Sequence, residues 1–223
     1  MKEASKTLRL LTPEERALLS GRGIDIGCGN DPILPSFTPF DKQHGDAEQI
    51  TAHVDGVGAF DVVFSSHCLE HLVHPDKALA AWWSLLRPGG TLMVVVPDAE
   101  LYEQGYWPSI FNSDHRWRCT IAHPPSTATA TLDLRRALSA LPNAHLVGLR
   151  IQDEGYRHER RATRHWPRWI AVPANRIRLR IARHAAFLLP LVDAGYALLR
   201  LPIDQTCRGA TAQLLAIARK GTP

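Results

Sequence analysis

Two histidines spaced four apart, His67 and His71, are the residues of this chain best suited to acid–base chemistry. They follow the apolar run Phe60–Phe64, and on a helix they would share one face. A neutral imidazole accepts a proton near neutral pH, so His71 is predicted as a catalytic general base, with His67 beside it and His115 as second choice. The competing interpretation is that these histidines only cap the helix or pack against the sheet.

Metal binding is another interpretation of this segment, because His67, His71 and His74 surround the acidic Glu70. The zinc-binding pattern HExxH is absent, so the sequence predicts no metal site. The four cysteines are widely spaced and form no CxxC, which predicts reduced, packed thiols and no disulfide framework.

A glycine-rich segment, Gly23–Asn30, is the second chemical feature; in it Asp25 is followed by Gly27 and Gly29. Glycines let the backbone turn sharply and let a ligand lie against bare peptide. In an open α/β sheet, ligands bind at the carboxyl ends of the strands, where such a turn lies. The dinucleotide pattern GxGxxG needs a third glycine where this sequence has Pro32, which argues against NAD.

Alternating strands and helices must position these residues. Gly23–Ile26, Phe60–Phe64 and Thr91–Val96 are apolar runs typical of strands covered on both faces, and Pro75–Arg87 has helical spacing between the last two. The pattern predicts a parallel α/β sheet. The further predicted elements are a short helix opened by Thr12-Pro13, a helix at Thr131–Leu141, a strand at Ala144–Gln152, a helical stretch Asn175–Leu201 kinked at Pro190, and a last strand Ala210–Ala218.

Over residues 20–98 this order of motifs resembles the class I S-adenosylmethionine (SAM)-dependent methyltransferases. The Asp-x-Gly-x-Gly turn matches that family's first motif, Phe60–Leu72 is similar to its fourth strand and "LEH" segment, and Leu86–Leu92 matches its L-(K/R)-P-G-G-x-L turn. The resemblance implies one domain, residues 1–223, with a seven-stranded, mainly parallel Rossmann-like sheet and helices on both faces. It also places a basic helical insertion, residues 156–205, before the last strand.

The same resemblance implies a cofactor site at the strand ends. Asp41 would hold the ribose hydroxyls, while Asp46 and Ala47 would meet the adenine ring. Only Asp31–Thr38 separate the glycine turn from the second strand, too few residues for the helix usual in the family. The methionine part of SAM is therefore expected to be more exposed, or covered by another segment. The implied cofactor-binding residues are Asp25, Gly27, Cys28, Gly29, Asp41, Asp46, Ala47 and His67.

Residues 99–130 form the segment where members of this family build acceptor pockets. The segment is rich in aromatic and polar residues with little periodicity, as expected of a functional loop. Its aromatic rings could stack on an acceptor, or pack only on their own domain. The predicted substrate-binding residues are Tyr102, Trp107, Asn112, Asp114 and His115.

Charged residues are distributed unevenly along the chain. Residues 1–145 hold 12 Lys and Arg against 17 Asp and Glu, whereas residues 146–223 hold 14 against 5. Nine arginines interleave with aromatic residues in 156–184, which indicates an anionic membrane surface, nucleic acid, a homo-oligomer contact or only a solvated face. No signal-peptide pattern is present and the apolar stretch Ala185–Leu201 is interrupted, so a cytoplasmic protein, peripheral to a membrane, is expected.

The expected activity is SAM-dependent O-methylation of a hydroxylated small molecule or a saccharide. The alternatives are an N-methyltransferase of a small amine, a SAM-binding scaffold without turnover, and an RNA-binding methyltransferase. Methyltransferases of base amino groups usually carry (D/N)PP(Y/F) after the fourth strand, where this sequence has Ser65–Cys68. A nucleic-acid substrate is therefore disfavoured.

Overall fold

The computed structural model describes residues 3–122, 129–161 and 166–222. The strands are β1 (Gly23–Ile26), β2 (Thr38–Phe40), β3 (Phe60–Ser66), β4 (Leu86–Pro97), β5 (Arg118–Thr120), β6 (Thr131–Asp133), β7 (Ala144–Gln152) and β8 (Gln213–Lys220). The α-helices are α1 (Glu3–Leu10), α2 (Pro13–Ala17), α3 (Pro75–Leu85), α4 (Leu134–Ser139), α5 (Arg168–His184) and α6 (Leu189–Leu199).

The main sheet has the order β2-β1-β3-β4-β8-β7. β1 to β4 pair in parallel, and β8 runs antiparallel between β4 and β7. This arrangement confirms the mainly parallel Rossmann-like α/β fold. It also places the carboxyl ends of β1, β2 and β3 side by side, with Ile26 level with Phe40 and Ser65.

The predicted number of seven strands was wrong: in the described ranges the main sheet has six. Between β2 and β3 the chain forms a 3₁₀ helix, Ala47–Ala52, and β2 pairs only with β1 within the described residues. The Asp46 carboxylate accepts a hydrogen bond from the Glu48 backbone N–H at 2.9 Å and thereby caps that helix. β2 is therefore left at the edge of the sheet.

Both faces of the sheet are covered. Alternating side chains of β3 point to opposite faces, so Val63 packs in a core with α3 and α4, while Val62 and Phe64 pack in a core with α1. The fully buried Trp82 of α3 donates its indole N–H to the Ala47 carbonyl at 2.8 Å. This bond ties the 3₁₀ helix beside the cofactor motif to the core.

Several predicted boundaries were shifted by capping residues. The Thr12 cap opens α2 as predicted, with the reciprocal bond from Glu15. The segment Thr131–Leu141, predicted as one helix, is β6 followed by α4. The Asp133 side chain accepts a hydrogen bond from the Arg136 backbone N–H, so the helix begins only at Leu134. The helical stretch Asn175–Leu201 divides into α5 and α6 at 185–188, and Pro190 lies in the first turn of α6, so the kink predicted there is wrong.

The helices α5 and α6 pack against the segment that follows β4. Ala171 of α5 packs against Tyr106 and Ile110. A buried ion pair between Arg178 and Asp193, with 2.7 Å from Nε to Oδ1, joins the two helices. Arg164, one of the nine arginines of 156–184, lies outside the described residues, and in the described ranges no helix is both long and apolar enough to cross a membrane.

Candidate functional site

Three cavities meet at the carboxyl ends of β1, β2 and β3. The main cavity has a volume of about 740 Å³ and is lined by residues of β2 and of the segments that follow β2 and β3. A glycine-turn cavity of about 270 Å³ lies against the turn after β1, and an inner cavity of about 190 Å³ lies beneath the segment after β4. His67 lines all three, and His71 lines both the main and the inner cavity.

The glycine turn requires Gly27. Its φ is +80°, and a Cβ there would lie 2.5 Å from the Cβ of Cys68. Gly29 has a φ of +54°, and its backbone N–H donates to Asp41 Oδ2 at 2.7 Å. The turn is therefore tied to the end of β2, and the predicted Gly27, Gly29 and Asp41 lie together.

Asp41, Asp46 and Ala47 line the main cavity, where the family resemblance places ribose and adenine. The Asp41 carboxylate is held by backbone N–H groups, with Oδ1 accepting from Lys42 at 2.6 Å. Cys28, also predicted, lines the glycine-turn cavity together with Asp25. Burial raises the pKa of the Cys68 thiol to about 12, so this neighbouring cysteine stays protonated.

Asp25 is almost completely buried at the glycine-turn cavity. Its Oδ2 accepts from the Ile33 backbone N–H at 2.6 Å, while Oδ1 is buried without a hydrogen-bond partner among the described residues. Burial raises the pKa of Asp25 to about 7, with added repulsion from Asp31 and Asp41 and only partial compensation by the Ile33 bond. A positively charged ligand in this cavity would favour the ionised carboxylate.

The helix α1 covers the side of the glycine turn where the family has a helix after β1. Residues 31–37 form turns and irregular backbone rather than a helix. Instead, Ala4 lines the glycine-turn cavity, and the Ser5 hydroxyl donates to Asp31 Oδ1 at 2.6 Å. Ala4 and Ser5 of α1 therefore lie at the side of the glycine turn where the methionine part of SAM is expected.

A buried carboxylate organises the histidines between the main and inner cavities. Glu70 Oε1 lies 3.5 Å from His67 Nδ1 and 3.7 Å from His71 Nε2. The side chain is 1% exposed, and neither oxygen makes a hydrogen bond within the described ranges. Burial by itself raises the pKa of Glu70, but the adjacent His67 and His71 outweigh burial and lower it.

His115 reaches this cluster from the segment after β4. The Glu70 backbone carbonyl accepts from the N–H groups of Arg116, at 2.8 Å, and Trp117. The His115 ring packs 5.1 Å from the His71 ring, and its Nδ1 hydrogen-bonds the buried carboxylate of Glu103 at 2.7 Å. All three predicted catalytic histidines are therefore close together, although one comes from a distant part of the chain.

The predicted substrate-binding residues separate into two groups. Tyr102, Asn112 and His115 line the inner cavity, and Asp114 lines the main cavity. Trp107 lines neither, because its ring packs beneath the Arg118 guanidinium at 5.6 Å. The part of the 99–130 loop at residues 123–128 lies outside the described residues.

The sequence interpretation missed three polar residues that contact the histidines, of which Glu70 and Gln213 line the inner cavity. Glu70 was noted only as an acid between histidines, and Glu103 gave no signal because its partner lies twelve residues away. The amide oxygen Oε1 of Gln213, at the start of β8, accepts a hydrogen bond from His67 Nε2–H at 3.0 Å. A buried Gln at the start of an apolar strand was the available clue.

Comparisons with known proteins agree with this geometry. The family model described as "Methyltransferase domain" matches residues 2–201. No curated protein matches the chain.

Solved structures share the fold at low sequence identity. A Bacillus halodurans C-125 protein named as a methyltransferase has 16% identity and a TM-score of 0.53, with 100% of each chain covered. A chain of the Haloferax volcanii complex of the Trm112 methyltransferase activator has 12% identity and a TM-score of 0.52, covering 99% of this chain and 89% of that one. The [4+2]-cyclase SpnF has 18% identity and a TM-score of 0.51, and the match covers 98% of this chain and 81% of that one.

The family match spans most of the chain, and the Asp-x-Gly-x-Gly turn opens into a cavity flanked by acidic strand ends. The protein belongs to the methyltransferase domain family and is a SAM-dependent methyltransferase.

Proposed function

We propose that this protein transfers the methyl group of SAM to a hydroxyl oxygen of a small molecule or saccharide. The observation that carries the proposal is the cluster of His67, His71, His115 and Glu70 between the main and inner cavities. A hydroxyl must lose its proton to be methylated, whereas a neutral amine attacks with the lone pair it already has. A cluster of imidazoles is therefore better matched to hydroxyl than to amine acceptors.

The residues present fit SAM. Asp41, Asp46 and Ala47 offer hydrogen-bond acceptors and an apolar edge for adenosine in the main cavity. The unpaired Oδ1 of Asp25 and the hydroxyl of Ser66, which also lacks a partner among the described residues, suit the polar end of the methionine part. When bound, SAM supplies a methyl group on positively charged sulfur, which keeps the electron pair of the broken C–S bond as the new C–O bond forms.

The protein's own residues prepare the acceptor. His71 Nδ1 hydrogen-bonds the Asp114 carbonyl at 3.1 Å, so this nitrogen carries the ring proton and Nε2 is the acceptor. The Glu103 carboxylate accepts a hydrogen bond from His115 Nδ1–H, so Nε2 of His115 is likewise the nitrogen that can accept a proton. The acceptor hydroxyl loses its proton at this cluster, while Tyr102 and Asn112 hold the rest of the acceptor away from water.

The reaction can be tested with SAM labelled with ¹³C in the methyl group. Incubation with a panel of phenols, polyols, saccharides and small amines, followed by NMR, identifies the methylated atom. We expect label on oxygen with at least one hydroxylated compound. Label on nitrogen only would replace this proposal with an N-methyltransferase.

A variant pair tests the cofactor assignment in the same assay. Asp41→Ala removes a carboxylate of the main cavity, and we expect no measurable binding of SAM by calorimetry. Asp76→Ala removes an exposed acid of α3 and is the matched control. Unchanged affinity in Asp41→Ala would contradict the placement of ribose at the end of β2.

An anionic membrane surface is the partner that the exposed face of α5 and α6 favours. Phe187, in the turn between α5 and α6, and Leu191 and Leu198 of α6 are 81%, 75% and 85% exposed, which is unusual for large apolar side chains. Exposed Arg176, Arg180 and Arg183 lie on the same pair. A combination of apolar and basic side chains is typical of helices that lie in a bilayer interface.

A cavity lined by arginines lies next to these helices and adds to the positive charge of this surface. It has a volume of about 400 Å³ and is lined by Arg157, Arg160 and Arg208, together with Pro190 of α6. The Nη1 of the buried Arg178 lacks a hydrogen-bond partner among the described residues. This cavity would accept the phosphate of a lipid headgroup.

Sedimentation with vesicles tests this surface. We expect the protein to bind vesicles of phosphatidylcholine with phosphatidylglycerol, but not pure phosphatidylcholine. Phe187→Ser with Leu191→Ser, or Arg176→Gln with Arg180→Gln, should reduce binding at least fivefold, and Arg135→Gln on α4 is the control. Arg178 is not substituted in this test, because its buried ion pair with Asp193 holds α5 and α6 together. Equal binding by all variants would contradict the proposal.

A further inference from the structure

The cluster of the inner cavity has the composition of a metal site. One ligand atom each from Glu70, His71 and His115 lie within 4.8 Å of one another. This set differs from the one weighed from sequence, since His74 is exposed and His115 is a member. Two imidazole nitrogens and one carboxylate oxygen are ligands typical of divalent first-row transition ions.

The second observation is the state of the Glu70 carboxylate. It is 1% exposed, and neither of its oxygens makes a hydrogen bond among the described residues. A buried carboxylate normally accepts several hydrogen bonds, because leaving it without partners is costly. His71 Nε2 lies 3.7 Å from Oε1, which is longer than a hydrogen bond but close to the separation of two ligands around one ion.

The third observation is the anchoring of both histidines through Nδ1. His71 Nδ1 bonds the Asp114 carbonyl, and His115 Nδ1 bonds the Glu103 carboxylate, at 3.1 and 2.7 Å. Histidines that bind metals almost always donate their other ring N–H to a carbonyl or a carboxylate. The bonds leave each Nε2 as the free ligand atom, and the backbone bond from Arg116 to the Glu70 carbonyl fixes the third ligand relative to His115.

We propose that Glu70, His71 and His115 bind one divalent transition-metal ion, with Zn²⁺ or Mn²⁺ as the occupant, at the inner cavity. Three protein ligands leave coordination positions open, as in catalytic rather than structural sites. The ligands line the inner cavity together with Tyr102, Asn112 and Thr211, so an acceptor in this cavity would lie next to the ion. His67 is not a ligand in this proposal; its Nδ1 lies 3.5 Å from the same Oε1 and positions the carboxylate through that contact.

This inference rests on the proposed O-methylation and changes one step of it. With the ion present, His71 Nε2 is a ligand, and the acceptor hydroxyl binds the ion at an open position. The ion lowers the pKa of that hydroxyl, whose proton passes to solvent, and the resulting alkoxide or phenolate attacks the methyl carbon. The products are the methylated acceptor, S-adenosylhomocysteine and one proton, and the ion is unchanged.

Metal binding is tested without SAM or acceptor. The tag-free chain, stripped with a chelator and dialysed, is titrated with Zn²⁺ and with Mn²⁺ by calorimetry and by thermal unfolding. Reconstitution with Co²⁺ adds a visible spectrum that reports nitrogen and oxygen ligands. We expect about one equivalent bound and a rise in the unfolding temperature.

Three variants assign the ligands, and one serves as control. Glu70→Gln keeps the shape of the side chain and should weaken Zn²⁺ binding at least tenfold, as should His71→Ala. Glu103→Ala removes only the anchor of His115 and should weaken binding about tenfold. His74→Ala, an exposed histidine three residues from His71, should bind as the unchanged chain does.

Failure of this inference and failure of the proposed function look different. Less than a tenth of an equivalent in the unchanged chain, or equal affinity in Glu70→Gln and His71→Ala, would overturn the metal site while methyl transfer persists in chelator. One bound equivalent that depends on Glu70 and His71, without label on any oxygen, would retain the metal site and overturn O-methylation.

Discussion

The proposed cofactor side and the proposed acceptor side of the site are built in different ways. The cofactor side, within residues 20–98, is formed by consecutive residues at the ends of adjacent parallel strands, where the register of the sheet sets their positions. The acceptor side is assembled from residues far apart in the chain, such as Glu70 with Arg116 and His67 with Gln213. The register of the sheet therefore sets the first side, whereas hydrogen bonds between segments far apart in the chain set the second.

The largest effect is expected on the acceptor side, from His71→Ala. Turnover should fall by about 10² to 10⁴, because the acceptor loses the group at which it is deprotonated. Affinity for S-adenosylhomocysteine, measured by calorimetry, should change by less than about threefold. His74→Ala is the control, and full turnover in His71→Ala would remove this residue from the chemistry.

The matching change on the cofactor side is Gly27→Ala. A Cβ at a φ of +80° and 2.5 Å from the Cys68 Cβ must displace the turn, so affinity for SAM should fall about 100-fold, with a loss of about 1–3 kcal/mol of stability from strain. Gly58→Ala is a control for strain alone, since Gly58 has a φ of +70° with open space around it. Equal effects of the two variants on SAM affinity would contradict a role for the turn in binding.

A smaller effect is expected from pH, through Asp25. Its pKa is raised to about 7 by burial, so its contribution to stability is present below about pH 4 and is lost as pH rises through 7. The positively charged ligand favours the ionised form, so SAM affinity should rise up to about tenfold between pH 6 and 8. Calorimetry across this range should give a flat profile for Asp25→Asn, and a parallel rise in that variant would assign the effect to another group.

The smallest effect is expected from Trp107→Ala. Its ring packs against Arg118 and lines neither the main nor the inner cavity. The ratio kcat/KM for the acceptor should change by less than about threefold, whereas Tyr102→Ala, which alters the inner cavity, should lower it at least tenfold. A large effect of Trp107→Ala would mean that the acceptor extends beyond the inner cavity.

The same contrast explains what the sequence could predict. The β1 turn and the ends of β2 and β3 follow from local motifs, and the structure places Asp25, Gly27, Asp41 and Asp46 at adjacent cavities as expected. The main sheet has six strands in the described ranges, and the segment between β2 and β3 contains the 3₁₀ helix Ala47–Ala52. The boundary of α4 was not visible without the side-chain bond of its cap, Asp133.

The acceptor side could be predicted only as a list of candidates. His115 was chosen for its chemistry, but its neighbours depend on a backbone bond between Arg116 and Glu70, forty-six residues apart. The pairing of His115 with Glu103 likewise requires the loop to fold back on itself. No periodicity or spacing in the sequence encodes such contacts, so Trp107 and Tyr102 were equally good candidates before the fold was known.

The wall shared by the main and inner cavities has a consequence for inhibition. Because His67 and His71 line both spaces, a single compound that joins an adenosine to a hydroxylated ring through a short linker can fill both at once. Joining the two fragments makes the second contact intramolecular, which raises affinity well above that of either fragment alone. The linker length that gives the tightest inhibition would measure the distance between the adenosine and the hydroxyl group that accepts the methyl group.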